Sequence, residues 1–407
     1  MASSGLEVAD VFRRFGPAYR RKYALPRPQL RAMSAIESCR TAALGGHLYE
    51  CDQCGAPQIL YNSCRNRHCP KCQSLEKERW LEKRCEELLP VPYFHLVFTL
   101  PAELNELIWR NQRVLYDLLF HSASETLLEI AADPQHLGAR IGLLAVLHTW
   151  NQQLTKHPHI HCIVPGGGLS VDRRRWIGSR PDFFLPVRVL SALFRGKYLH
   201  QLRALHQAGE LQFPGKIQDL ASPRVFRELL DGLFAKDWVV YCKPPFGGPQ
   251  QVLEYLSRYT HRVAISNDRL VRMDEEQVVF RYRDRAHGDR LREMTLLGEE
   301  FVRRFLLHVL PDRFVRIRSY GMLATRNRGQ DLARCRQLLG VGEPQEAPTQ
   351  STKPAPESSR QEERASWSEL LERLTGIDPL LCVVCRQGRR RLRRELPAER
   401  QPARAPP

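Results

Sequence analysis

The sequence predicts an α+β protein: a mixed sheet domain with helices packed on it, preceded by a small helical and zinc-ribbon-like module and followed by a disordered linker and a basic tail. Three observations lead there. From Tyr93 onward, short β-rich apolar runs alternate with helical stretches. Two CxxC knuckles fall close together before residue 73. After Gly340 the composition turns to Pro, Glu, Ser and Thr, with too few apolar residues to fold alone.

Element by element, Val8, Val11 and Phe12 form one helical stripe and Leu30, Met33 and Ile36 another, separated at Pro26 and Pro28. The cysteine-rich segment 47–73 follows, then a charged helix from Ser74 to Leu89 that stops before Pro90 and Pro92. Strands are expected at 93–100, 141–148, 156–165, 238–242, 263–265 and 277–283. Helices are expected at about 102–132, 187–208, 223–235, 249–261 and 297–309. Beyond the linker, Trp367 to Leu374 has the pattern of one amphipathic helix, ahead of Cys382, Cys385 and the basic run 386–394. These features divide the chain at 1–90, 91–338, 339–365 and 366–407.

Sixty-two Lys and Arg against forty-five Asp and Glu leave a net charge of +17. Such an excess favours a polyanion through phosphate neutralisation and counterion release. No run of eighteen apolar residues, no signal-type amino terminus and no isolated basic amphipathic anchor is present, so nucleic acid is preferred over membrane. Of twelve cysteines, six lie between Cys39 and Cys72 and two more form Cys382-Val383-Val384-Cys385. This clustering reads as metal binding in a reducing compartment, hence a cytoplasmic protein. The isolated Cys85, Cys162, Cys242 and Cys335 suit buried apolar positions.

Cys51 and Cys54, then Cys69 and Cys72, are CxxC pairs fourteen residues apart, close to the zinc-ribbon interval. Four thiolates would close a structural site and supply folding energy to a segment with little core. Cys39, His47, Cys64 and His68 are further ligand-type side chains, so another set of four, or a second ion, fits the pattern too. Cys382 and Cys385 offer half of a tetrahedral site, with no evident second pair. Arg65, Arg67 and Lys71 in the knuckle are placed to meet DNA phosphates, or simply to form a solvated basic face.

Lys156-His157-Pro158-His159-Ile160-His161 sets three imidazoles at alternate positions, which in a strand puts them on one face. His159 and His161 are the firm metal-ligand candidates. Pro158 marks an edge or strand start and makes His157 less certain. Strand histidines satisfied by hydrogen bonds fit the HxH pattern as well. Downstream, Tyr255 and Tyr259 are four apart and so share a helix face. A phenol with its pKa near 10 needs a metal or a base to act as a nucleophile. Arg258 and Arg262 flank Tyr259 and could bind a phosphate.

Taken together, Ser63 to Gln73, the histidine comb through Gly168, and Tyr255 to Asn267 resemble the rolling-circle transposases of insertion sequence ninety-one-like elements. The resemblance runs from about residue 10 to 335. It implies an HUH endonuclease-type antiparallel sheet with packed helices, in which His159 and His161 hold a Mg or Mn ion. It also implies a third polar ligand, for which His157, Glu254 and Gln153 are candidates. Tyr255 and Tyr259 would then attack single-stranded DNA at element ends and keep the 5′ end as a phosphotyrosine, in an amino-terminal zinc-binding frame that recognises DNA. Implied partners are element-end and target DNA, the host replication machinery and a second copy of the chain, in a nucleoid-associated setting. A plasmid replication initiator or relaxase would share the chemistry, and an inactive zinc-containing DNA-binding protein would share the fold.

Overall fold

The computed structural model describes residues 5–72, 80, 84, 87–243, 251–252, 264–284, 287–341, 372 and 378–399. Tyr255, Tyr259, Arg258, Arg262 and Glu254 lie outside the described residues. So do most of the expected helices at 74–89, 249–261 and 367–374, and nearly all of the linker.

Helices α1 (Val8–Lys22) and α2 (Arg27–Ser38) form the expected amino-terminal pair. In α2 the buried set is Gln29, Ala32, Met33 and Ile36, spaced i, i+3, i+4, i+7, so Leu30 turns outward. Strands β1 (Gly46–Cys51) and β2 (Pro57–Tyr61) make a hairpin. After β3 (Tyr93–Thr99) come α3 (Asn105–Arg110) and the long α4 (Gln112–Ala132). Next are β4 (Gly142–Trp150), β5 (Lys156–Pro165), and the short β6 (Gly167–Leu169) and β7 (Trp176–Gly178). Helices α5 (Val187–Gln207) and α6 (Pro223–Phe234) precede β8 (Val240–Lys243). A second set follows: β9 (Leu270–Met273), β10 (Gln277–Asp284), β11 (Arg290–Leu297) and α7 (Gly298–Leu306). The last elements are β12 (Ile317–Gly321), α8 (Arg328–Leu338) and β13 (Arg390–Leu396).

The central sheet is antiparallel throughout, in the order β12-β4-β5-β3-β8. Period-two alternation assigns its faces. Leu96 and Phe98 of β3, Leu143, Ala145 and Leu147 of β4, and Ile160 and Cys162 of β5 point to one side. There they share a core with Leu119 and Phe120 of α4 and Phe194 and Tyr198 of α5. Each fully buried large side chain in such a core contributes about 1.5–3 kcal/mol. The intervening residues, histidines among them, point to the other side.

A second antiparallel sheet, β11-β10-β9, shares its core with α7 and α1, where Phe12 meets Phe305 edge to face at 5.0 Å. Trp150 and Leu154, at the end of β4 and in the turn after it, belong to this core and tie the two sheets together. The strand expected at 263–265 does not form among its described residues: Ala264 and Ile265 lie in a bend, buried in the same core. The basic tail also departs from expectation. Instead of standing apart, β13 pairs with β1 and completes a third sheet, β13-β1-β2. Among the described residues, no helix is long and apolar enough to cross a membrane.

Gly298, the first residue of α7, shows how closely α1 is seated. A Cβ there would lie 2.3 Å from the Phe15 ring, which is itself buried. Gly298→Ala is therefore expected to cost about 1–3 kcal/mol through overpacking, read as a lowered urea midpoint. An unchanged midpoint would show that the α1–α7 contact is looser than described.

Candidate functional site

The histidine comb lies on β5, the middle strand of the central sheet. Residue for residue, His159 faces His148 of β4, and His161 faces Val146 of β4 and Val97 of β3. Directly opposed residues in an antiparallel pair share a face, so His148, His159 and His161 converge. Each offers one nitrogen, and these atoms all lie within 4.8 Å of one another. The three residues are 3%, 8% and 7% exposed.

His157 does not join them. Between the pairs His148–His159 and Trp150–Lys156, β4 spends one residue, Thr149, while β5 spends two, His157 and Pro158. That bulge absorbs the proline, which has no N–H for the ladder, and breaks the alternation that would have aligned His157 with its neighbours. His157 is exposed at the rim of the same cleft, with its ring 4.9 Å from that of His159, and its carbonyl accepts the Nδ1–H of His159 at 2.6 Å. This fixes the His159 tautomer and leaves Nε2 as a lone pair. His148, missed in the sequence, is the third member of the converging set. The signal for it was a histidine near the end of the neighbouring strand, legible only once the register was known. Gln153 lines the same cleft.

His159 Nε2 and His161 Nε2 are 3.1 Å apart. Imidazole nitrogens about 2.1 Å from one ion would lie about 3.0 Å apart at a right angle and about 3.4 Å apart in a tetrahedron. On its far side, His161 Nδ1 meets His95 Nε2 at 2.8 Å, the two rings stacked 5.0 Å apart. Burial first, then Lys243 and His159, push the His95 pKa down to about 3, so it is a neutral hydrogen-bond partner. With the shared proton on His161, two lone pairs face each other across 3.1 Å and a cation is needed between them. With the proton on His95, the comb closes on itself. Trp150 stacks on His148 at 4.8 Å and holds that ring from behind.

The turn between β4 and β5 is clamped from the second sheet's unit. Arg304 donates to the Gln153 carbonyl at 3.0 Å, His308 to that of Leu154 at 3.1 Å, and Arg269 to that of Gln152. Arg304 and Arg303 are in turn bonded to Glu300, and Arg303 foremost lowers the Glu300 pKa to about 2. The histidines floor a cleft of about 1060 Å³ between the two sheets, with Tyr241 and Lys243 on one wall and Tyr282, Arg283 and Arg292 on the other. Arg283 is paired with Asp289, and Arg292 with Asp284.

The cysteines form two clusters, neither of them the Cys51, Cys54, Cys69 and Cys72 set that the spacing suggested. Cys69 and Cys72 meet Cys39 and Cys64, whereas Cys51 and Cys54 meet Cys382 and Cys385. The two knuckles fall apart because β1 and β2 carry the first away to pair with β13, while the second turns into the core beneath α1 and α2. Sulfur separations are 3.5 and 3.6 Å in the first cluster and 3.7 Å twice in the second. A tetrahedral ion with Zn–S bonds of about 2.3 Å needs about 3.8 Å. Backbone N–H groups also point at the sulfurs: Asn66 at Cys64, and Gln53 and Cys54 at Cys51. Those of Gly388 and Gln387 lower Cys385 to about 6. Both donor sets fit zinc. His47 and His68 join neither; desolvation first, then Arg316, push the half-buried His68 down to about 3.

Of the knuckle cations, Arg67 is exposed and donates to the Phe314 carbonyl at 2.6 Å, and the half-buried Lys71 is paired with Glu7. Arg65 is exposed.

Comparison with known proteins follows these units. A family described as "Transposase zinc-binding domain" matches residues 11–100, and one described as "Putative transposase" matches residues 142–330. The chain is 53% identical over 389 residues to "Putative transposase y4qJ" of Sinorhizobium fredii, covering 95% of both. It is 27% identical over 373 residues to "Transposase for insertion sequence element IS801" of Pseudomonas savastanoi pv. phaseolicola, covering 88% of this chain and 82% of the relative. No solved structure matches it.

Two outcomes are expected from this geometry. His148→Ala should weaken Mn²⁺ binding, measured by calorimetry, by more than about tenfold, and His157→Ala should leave it nearly unchanged; the reverse ranking would restore the sequence-based ligand. For Glu300, a folded pKa of about 2 against 4.5 unfolded means its contribution is complete above pH 4.5 and lost as pH falls toward 2. Glu300→Gln should accordingly flatten that part of the melting-temperature profile, and an unchanged acid slope would show that the clamp adds nothing.

Proposed function

Because the chain belongs to the insertion-sequence transposases of the IS91 type, we propose that it nicks and rejoins single-stranded DNA at its element's ends through a 5′-phosphotyrosine, promoting rolling-circle transposition. The observation that carries this reading is the convergence of His148, His159 and His161 on the floor of a large cleft with Lys243 and Arg283 at its walls. These three imidazoles would hold a divalent ion, and all-imidazole ligation favours Mn²⁺ over Mg²⁺ on softness. When bound, such an ion polarises a phosphoryl oxygen and eases charge development on the departing 3′ oxygen.

The chain's own residues supply orientation. The His157 carbonyl and His95 set the rings of His159 and His161. Lys243 offers positive charge to the backbone of an entering strand. Tyr255 and Tyr259 are assigned as nucleophiles: the phenolic oxygen bonds to phosphorus, the P–O3′ bond breaks, and the phenolic proton passes to a base or to solvent. The ester conserves the phosphodiester energy, so a later 3′ hydroxyl can reverse the step. Val252 is fully buried in a cluster with Leu144 and Ile163 on the histidine face, and Ala264 is buried in the cluster that contains Trp150. Arg258 and Arg262 are assigned to the phosphates beside Tyr259.

Within this scheme residues 91–338 form the catalytic unit, and host polymerases replace the displaced strand. A replication initiator or relaxase would use the same chemistry, but both named relatives are transposases.

Incubation with a labelled single-stranded element end and Mn²⁺, followed by denaturation, should give a covalent adduct in the native protein. The adduct should vanish in the Tyr255→Phe, Tyr259→Phe double variant and in His161→Ala. Its persistence in the double variant would refute the tyrosine assignment. No adduct in the native protein would favour a binding protein without nuclease activity.

A further inference from the structure

The zinc-binding family match ends at residue 100 and contains all of the Cys39, Cys64, Cys69 and Cys72 cluster, but only half of the other. We propose that Cys51, Cys54, Cys382 and Cys385 form a second zinc site, a clasp that fastens the Cys382–Cys385 knuckle and strand β13 onto the amino-terminal module. The pairs that meet are 334 and 328 residues apart in the chain.

The cysteines are not the only observation. Around them the two chain segments fit as one turn against another. Asp52 N–H donates to the Arg389 carbonyl at 3.0 Å, and Arg389 N–H donates to the Asp52 carboxylate at 2.7 Å. Each segment also folds as a knuckle by itself, with Val384 N–H aimed at Cys382 Sγ and Gly388 N–H at Cys385 Sγ, both at 3.4 Å. Gly388 is required by closeness: a Cβ there would lie 2.4 Å from Cys51 Sγ. Beyond the knuckles, β1 and β13 continue the contact from Cys51–Arg390 to Gly46–Leu396.

A four-thiolate, closed donor set with these sulfur spacings is the structural type of zinc site, with no position left for substrate. A strand as rich in arginine as β13 would repel itself in isolation and has little apolar surface to bury. Zinc binding supplies the missing folding energy, because the site does not exist until both ends of the chain are together. The clasp thereby adds β13 to the β1–β2 hairpin and aligns Arg391 with Asp52 and Arg393 with Glu50. The recognition module is thus built from both ends of the chain.

The test uses the full chain. Elemental analysis of protein purified without added metal should find zinc for both cysteine clusters, two ions per chain, and one after Cys382→Ser with Cys385→Ser. A site-specific protease sequence is placed between residues 350 and 360, and the cleaved protein is run on size exclusion in native buffer. The carboxy-terminal fragment should co-elute with the rest and be lost after chelation with phenanthroline. The chelation arm needs no variant, so a misfolded double variant does not blunt the test. One zinc per chain in the native protein, iron in place of zinc, or a fragment that dissociates before chelation would overturn the clasp. So would a fragment retained in full after its zinc is gone, which would assign the contact to strand pairing alone.

Discussion

The register of β4 against β5 is the constraint on which the rest depends. It sets His148 opposite His159, and because side chains alternate at a period of two, a slip of one residue would send the ligand set into the α4–α5 core. The register is held at three levels. Leu143, Ala145 and Leu147 require the helix-covered face. The bulge at His157–Pro158 absorbs the residue that would otherwise put the strand out of phase. The turn that follows β4 is fixed by Arg269, Arg304 and His308, all from the unit built on the second sheet.

That last dependence couples the parts of the molecule. The second sheet shares its core with α1, α2 and the Cys39, Cys64, Cys69 and Cys72 cluster, and the same core receives Trp150, whose other neighbour is His148. The metal-binding front module is therefore part of the packing behind the histidine site as well as a candidate DNA-recognition element. Loss of zinc from this cluster would loosen the wall on which His148 rests.

Local patterns were legible in the sequence wherever the decisive interactions were local. The comb on β5, the helices at 187–207 and 223–234, and the strand at 277–284 follow from periodicity that the cores satisfy. What escaped was set by partners distant in sequence. His148 became visible only through cross-strand pairing. Strand β13 carries four arginines in seven residues and β12 is short with weak apolar alternation, so they exist because β1 and β4 offer them edges. The two knuckles have ribbon spacing, yet each found its second pair elsewhere. Six clustered cysteines plus two distant ones make two sets of four, an arithmetic clue that the fourteen-residue interval overshadowed. Sequence could not show, either, that a carbonyl engages Arg67 and a carboxylate engages Lys71.

Three candidate metal centres, two of cysteines and one of histidines, are assembled by tertiary topology rather than by adjacent motifs. Anomalous diffraction from crystals grown with Mn²⁺, collected at the zinc and manganese edges, tests it most directly. The account predicts a zinc peak within each cysteine cluster and a manganese peak bounded by His148, His159 and His161. A single zinc shared by Cys51, Cys54, Cys69 and Cys72, or manganese held by His157 with His148 turned away, would contradict it.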